Sequence, residues 1–266
     1  MPAIDYSKVA HLYDIYVKTD VDVPFFLKEA QGCDNVLELM AGTGRVSIPL
    51  IEAGLPLTCI DSSGEMLAIL RGKLEDRGLS AEIYEMDVCN LSLRDTFDLI
   101  ILPFNSFAEI VSPSDQRNAL SAIREHLSHR GRFICTLHNP LIRLASVDGQ
   151  LKQYGKYYLP DNTGTLILSA IENYEPERHM VSGSQFYEIR DTNGKTLSKY
   201  SIDITFYLHE KNDFEAFIQS QGFSIRNLFG DYSYSQFEPD TSPFMIWILE
   251  KGDSPLFYNS QGRRKK

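Results

Sequence analysis

Short apolar runs alternate with longer amphipathic stretches between residues 35 and 136, and this alternation sets the fold class. Apolar-rich runs at 36–39, 57–60, 81–86, 97–102 and 132–136 read as strands, and residues 44–53, 63–77 and 114–127 carry helical patterns between them. Repeated strand–helix units build a parallel sheet, and right-handed crossovers put helices on both of its faces. In the third helical stretch Ser114 is the expected N-cap, and Gly131 follows shortly after its end.

Beyond Pro140 the pattern turns to Tyr-rich, β-favouring stretches at 154–159, 166–174, 185–190 and 197–208, with Asn193-Gly194 as a hairpin turn signal. In the last stretch Tyr200, Ile202, Ile204, Phe206 and Leu208 alternate with more polar residues, so one face is apolar. That pattern predicts an antiparallel insertion. A helix at 212–221 and strands at 223–228 and 244–249 then rejoin the main sheet. The expected organisation is a helical N-terminal lid (1–30), an α/β core (31–139 and 211–251), a β-rich insertion (140–210) and a C-terminal tail (252–266).

The 266 residues are 43% hydrophobic and 23% charged, an ordinary globular composition that excludes fibrous and broadly disordered classes. Twenty-six Lys and Arg against 36 Asp and Glu give a formal charge of −10, which argues against a long nucleic-acid footprint. The basic run at 263–266 reads as a solvated tail, with a local phosphate contact as the other reading. The N-terminus lacks a basic flank and apolar run, and no stretch approaches the ~20 apolar residues of a membrane span, so a cytoplasmic protein without membrane contact is expected. Cys33, Cys59, Cys89 and Cys135 are widely spaced, which suits reduced thiols and no metal site. His126 and His129, near a predicted helix end, suit the negative pole of the helix better than a metal.

Glu38-Leu39-Met40-Ala41-Gly42-Thr43-Gly44-Arg45 follows the first strand and opens the first helix. Glycines in such a turn let backbone amides approach a ligand, although a tight strand-to-helix turn alone produces the same spacing. Asp61, at the end of the second strand, lies where a carboxylate accepts both hydroxyls of a ribose, and Asp87 ends the third strand, where it suits an adenine amine. Each acid alone also suits a helix cap. Glu38 adds a carboxylate beside the turn that repels a pyrophosphate and attracts a ligand bearing an ammonium and a sulfonium. Ser47 stands where the dinucleotide fingerprint has Gly or Ala, so NAD is the weaker reading.

These runs, with Ile60-Asp61-Ser62-Ser63-Gly64-Glu65-Met66-Leu67 and Met86-Asp87-Val88, resemble the class I S-adenosylmethionine-dependent methyltransferases, closely over residues 1–139 and loosely at the C-terminal end. The resemblance implies a doubly wound α/β fold: a seven-stranded, mostly parallel sheet with the last strand antiparallel, plus an inserted antiparallel β platform. It implies that the turn from Met40 and Ala41 through Gly42 and Gly44 to Arg45 holds the methionine part of the donor. Asp61 then takes the ribose, Ser62 and Met66 the adenosine surroundings, and Asp87 with Val88 the adenine. Met40 departs from the family, where glycine is commoner. After the fourth strand, Leu102, Pro103 and Phe104 fall where family members face the methyl donor, and Phe104 and Phe107 also suit ordinary packing. Pro103-Phe104-Asn105-Ser106 is not the Asn-Pro-Pro-Tyr type of motif found in enzymes that methylate base or amide nitrogens, so no nucleic-acid partner is expected.

Tyr6 and Tyr13 fall on one helix face, and their segment resembles the N-terminal lid of glycine and amino-sugar N-methyltransferases; packing on the sheet edge is the alternative. The insertion resembles the β platform of the same enzymes, with Tyr154, Tyr157, Tyr158, Tyr187, Tyr200 and Tyr207 as pocket or packing residues. Methyl transfer is driven largely by in-line positioning. Tyr13 and His138 are the catalytic candidates, His138 as the base for an ammonium acceptor, with a purely structural histidine as the alternative. The expected activity is methyl transfer from S-adenosylmethionine, leaving S-adenosylhomocysteine, to a small-molecule amine. A small-molecule O-methyltransferase and a non-catalytic donor-binding protein are the alternatives, and a monomer or homodimer is compatible with either.

Overall fold

The computed structural model describes residues 4–252. In chain order the elements are α1 (Ala10–Tyr16), α2 (Val23–Glu29), β1 (Val36–Leu39), α3 (Ser47–Glu52), β2 (Leu57–Asp61), α4 (Gly64–Arg77), β3 (Glu82–Glu85), β4 (Phe97–Leu102), α5 (Pro113–His126) and β5 (Leu127–His138). There follow α6 (Pro140–Leu144), β6 (Lys152–Tyr158), β7 (Gly164–Glu175), β8 (Met180–Asp191), β9 (Thr196–Tyr207), α7 (Lys211–Ser220), β10 (Phe223–Phe229) and β11 (Phe244–Lys251). Seven strands form one sheet in the order β10-β11-β5-β4-β1-β2-β3, and β6-β7-β8-β9 form a second. In the first sheet β1 to β5 pair in parallel, and β11 runs antiparallel to both β5 and β10. The seven-stranded fold with its inserted β platform is the one expected.

Period-two alternation divides the core. On one face Leu37, Leu39, Ile100, Leu102, Phe133 and Trp247 pack with α5 and α7. On the other, Val36, Cys59, Leu99, Ile101, Ile134 and Ile246 pack with α2, α3 and α4. Strands apolar on both faces require helices on both sides, and both apolar clusters are fully buried. The third cluster joins the platform to the N-terminal segment: Leu166, Leu168, Tyr187, Ile202 and Ile204 bury against Ile4, Val9 and Leu12. The alternating face of β9 therefore faces the N-terminal segment.

Local boundaries differ from expectation for specific reasons. The first core helix begins at Ser47, because Gly42 and Gly44 sit at φ 58° and 86°, and backbone in that region cannot continue a right-handed helix. The cap of α5 is Ser112, with Pro113 at the first helical position, so Ser114 lies inside the helix. That helix ends at His126, and His129 belongs to β5, which runs longer than the apolar core of its sequence. His126 instead accepts the Leu93 N–H through Nε2 at 3.1 Å. The Asn193-Gly194 turn joins β8 to β9, with Asp191 Oδ1 accepting from the Asn193 and Lys195 N–H groups, each at 2.9 Å. The basic run at 263–266 lies outside the described residues. Among the described residues the four cysteines are free thiols, no acid, His or Cys cluster is placed to hold a metal, and no helix is long and apolar enough to cross a membrane.

Candidate active site

The C-terminal ends of β1 and β2 meet at the glycine turn, and Asp61 bridges them. Its carboxylate accepts the Gly42 N–H at 2.7 Å and the Ser63 N–H at 2.8 Å, which fixes both oxygens at the mouth of the turn. Burial raises its pKa, and the three backbone N–H donors of Gly42, Ser62 and Ser63 oppose that rise. Asp87 lies two residues past β3 and accepts the Cys89 N–H at 2.9 Å.

Three cavities adjoin at this edge of the sheet. One of about 160 Å³ is lined by Tyr6, Tyr13, Met40, Gly42, Asp61, Ser62 and Met66. A narrower one of about 70 Å³ is lined by the apolar side chains of Met40, Ile60, Met86, Val88 and Ile110, with Ser62 and three acids, Asp87, Glu109 and Asp115. The largest, about 640 Å³, runs under the β platform and is lined by Tyr6, Tyr13, Tyr16, Phe104, His138, Tyr154, Tyr157 and Tyr207 among others. Tyr6, Tyr13, Ser106 and Glu109 form the wall between the first and the largest, and among the described residues Glu109 alone borders all three.

The other candidates support the site from behind. Glu38 is 1% exposed in β1 and accepts the Ser47 hydroxyl at 2.6 Å. Burial pushes its carboxyl up to about 8, with the Ser47 hydrogen bond acting against it, so this acid is neutral near pH 7 and presents no charge to the turn. Of the three acids singled out from the sequence, Asp61 and Asp87 line the cavities and Glu38 lies beneath them. Arg45 is held by Asp22, its Nη2 donating at 2.7 Å, and its guanidinium lies 4.5 Å from the centre of the Phe104 ring. Ala41, Gly44, Leu102 and Pro103 shape the turn and the end of β4 without lining the cavities. Met40 stands at φ 54°, and Phe104 and Asn105 at 59° and 63°. Left-handed backbone in three non-glycine residues at one sheet edge is strain held by its surroundings.

Tyr6 caps a short turn ahead of α1, and its ring meets Tyr13 edge-on at 5.9 Å; Tyr13 in turn meets Tyr16 at 5.5 Å. Tyr16 reaches Tyr187 of the platform, with hydroxyls 3.2 Å apart. Of the platform tyrosines, Tyr154, Tyr157 and Tyr207 line the large cavity; Tyr187 is buried, Tyr200 packs on His11 and Tyr158 is 72% exposed. His138 stacks on Phe244 with centroids 5.9 Å apart, and burial, then Arg143, lower its pKa to about 4. His209, on the same cavity, is lowered to about 3 by burial and His179.

Glu109 is the functional candidate that residue patterns did not single out. It closes the short turn Ser106–Glu109 after β4. The available signal was an acid inside the otherwise apolar stretch from Phe107 to Val111. Asn105 Oδ1 and His209 Nε2, both buried and without a hydrogen-bond partner among the described residues, belong to the same neglected set.

Comparison with known proteins gives a consistent picture. A methyltransferase domain family matches residues 36–131. The chain is 27% identical over 252 residues, 92% of its length and 87% of the other, to a glycine/sarcosine N-methyltransferase of Aphanothece halophytica. Its fold is similar to that of an S-adenosylmethionine-dependent methyltransferase from Clostridium acetobutylicum, with a TM-score of 0.78 and 22% identity over 93% of this chain and 99% of that one. A sugar N-methyltransferase from Streptoalloteichus sp. is similar with a TM-score of 0.70 and 16% identity, over 91% and 92% of the two chains.

Proposed function

We propose that this S-adenosylmethionine-dependent methyltransferase transfers its methyl group to an amine nitrogen of a small molecule held in the cavity beneath the β platform. The donor's chemistry matches the smaller cavities. Asp61 presents a fixed carboxylate to vicinal hydroxyls, and the slot sets the apolar side chains of Met40, Val88 and Ile110 beside Asp87, as suits a purine with an exocyclic amine. The Arg45 guanidinium is already paired with Asp22, so the turn offers no spare cation to a pyrophosphate. Gly42 and Gly44 would hold the methionine part, and Tyr6 and Tyr13 would close over it.

S-adenosylmethionine supplies, when bound, a methyl group on a cationic sulfur. The remaining work belongs to the chain. Tyr6, Tyr13 and Ser106 wall the passage between the donor cavity and the large one, where an acceptor lone pair approaches in line. The observation that carries the amine assignment is the tyrosine wall of the large cavity, built by Tyr13, Tyr16, Tyr154, Tyr157 and Tyr207. With His138 at about 4 and His209 at about 3, both are weak bases at neutral pH, poorly matched to removing a proton from a hydroxyl. A neutral amine brings its own lone pair, and the tyrosine walls suit the positive charge that forms on nitrogen as the methyl is transferred. The relative whose name specifies glycine and sarcosine supports the same reading.

Incubation with methyl-labelled S-adenosylmethionine and a panel of amino acids, amino sugars, simple amines and phenols, followed by mass spectrometry, tests the assignment. The expected product carries the label on nitrogen. Label confined to oxygen overturns the amine reading, and donor binding without transfer across the panel overturns the enzyme reading.

A further inference from the structure

Glu109 stands where the donor cavity, the narrow slot and the large cavity meet. A methyl group passing between donor and acceptor must cross the wall common to their cavities, and Glu109 is the one ionisable acid in that wall; its other members are Tyr6, Tyr13 and Ser106. From the N-terminal segment Tyr6, Tyr13 and Tyr16 face it, and from the end of β2 Asp61 does. Asp87 and Asp115 share the narrow slot with it. Among the described residues no Lys, Arg or His is within ion-pair distance of its carboxyl. Around the large cavity, Arg45 and Arg143 are committed to Asp22 and Glu172, the two histidines are neutral, and Lys18 is exposed.

We infer that Glu109 is a specificity residue that senses the charge of the donor, losing its proton when a sulfonium occupies the junction and regaining it when the neutral thioether product is left. This rests on the donor assignment and is independent of which amine accepts the methyl. Glu109 is half-buried at this junction; an acid there with no cation beside it is biased toward its protonated form, and a fixed positive charge a few ångströms away reverses the bias. Burial and Asp61 push the Glu109 carboxyl up to about 8, and the Tyr6 hydroxyl offsets part of that rise. These surroundings favour the protonated carboxyl until a positive charge arrives. The proton lost on donor binding goes to solvent, and after transfer a proton returns from solvent. No bond other than O–H changes at Glu109.

Calorimetric titration of S-adenosylmethionine and S-adenosylhomocysteine in buffers of different ionisation heat, at pH 7, reads protons released per ligand. Wild-type protein is expected to release about half to one proton more with the sulfonium than with the thioether. In Glu109→Gln that excess disappears, and the affinity ratio of sulfonium to thioether falls about tenfold, the size expected of a charge pair in a partly buried site. Comparison of wild type with Glu109→Gln cancels the ligands' own ionisations. Glu109→Asp, which keeps the acid, retains part of the excess and guards against a fold defect in the amide variant. Equal release by both ligands in wild type overturns the inference while leaving the donor assignment intact, and failure of both ligands to bind overturns both.

Discussion

The Thr43 hydroxyl, between the two glycines of the turn, donates to Asp14 Oδ1 of α1 at 2.7 Å, so the N-terminal helix is tied directly to the glycine turn. Lys73 of α4 completes the tie. Its ammonium lies 2.5 Å from Asp14 Oδ2 and donates to the Thr43 carbonyl at 2.8 Å. Helix, turn and sheet-covering helix are thereby held by one carboxylate, beside the Tyr6 and Tyr13 rings.

Removing that carboxylate should loosen the lid without disturbing the core. Asp14→Ala is expected to weaken S-adenosylmethionine binding about threefold to tenfold, in keeping with the ~0.5–1.5 kcal/mol of a partly exposed charged hydrogen bond. Titration calorimetry measures it, with hydrogen exchange in residues 10–16 expected to rise.

The two glycines of the turn should respond differently to alanine. A Cβ on Gly44 would sit 2.3 Å from Leu70 Cδ1 at φ 86°, whereas a Cβ on Gly42 meets nothing within 4 Å at φ 58°. Gly42→Ala is expected to cost about 1–2 kcal/mol for the left-handed backbone. Gly44→Ala adds overpacking and should cost roughly 1–3 kcal/mol more, seen as a lower thermal midpoint.

Met40 separates backbone strain from ligand contact. Met40→Gly relieves a non-glycine residue at φ 54°, but removes a wall shared by the cavity at Asp61 and the slot beside Asp87. Thermal stability is expected to hold to within about 1 kcal/mol, since the backbone gain offsets lost packing. Donor affinity should fall at least fivefold in the same titration.

Glu38 gives stability a pH dependence of known sign. Its folded-state carboxyl stands at about 8, above the ordinary value near 4.5, so between those values the folded chain holds a proton that the unfolded chain lacks. Its contribution is therefore complete below about pH 4.5 and is lost as pH rises to about 8. Glu38→Gln cannot lose it. Relative to wild type, the variant should gain about 2–4 kcal/mol between pH 5 and pH 9, measured by denaturant unfolding at both.

Most of the sheet was legible because its strands are apolar on both faces: Val36, Leu99 and Ile134 on one side, Leu37, Ile100 and Phe133 on the other. The turn was legible from Gly42 and Gly44, and Asp61 from its place at the end of β2. What pattern could not give was depth. Glu38 and Asp61 are both acids near the turn, yet one is neutralised beneath it while the other opens onto the cavity. Glu109 escaped notice because a single acid in a short turn has no periodicity to mark it, and its position arises only when β4, α1 and β2 converge. The platform tyrosines divided for the same reason: strand alternation identifies a face, but contact with Tyr16 and His11 decides that Tyr187 and Tyr200 pack against the lid segment.

The most direct measurement is a crystal structure of the protein with S-adenosylhomocysteine. The account requires ribose hydroxyls on the Asp61 carboxylate, the adenine in the slot bounded by Met40, Val88 and Asp87, and the sulfur turned toward the wall of Tyr6, Tyr13 and Glu109, with the large cavity left open for an acceptor. Density for the ligand elsewhere, or its sulfur directed away from the cavity beneath the platform, would contradict it.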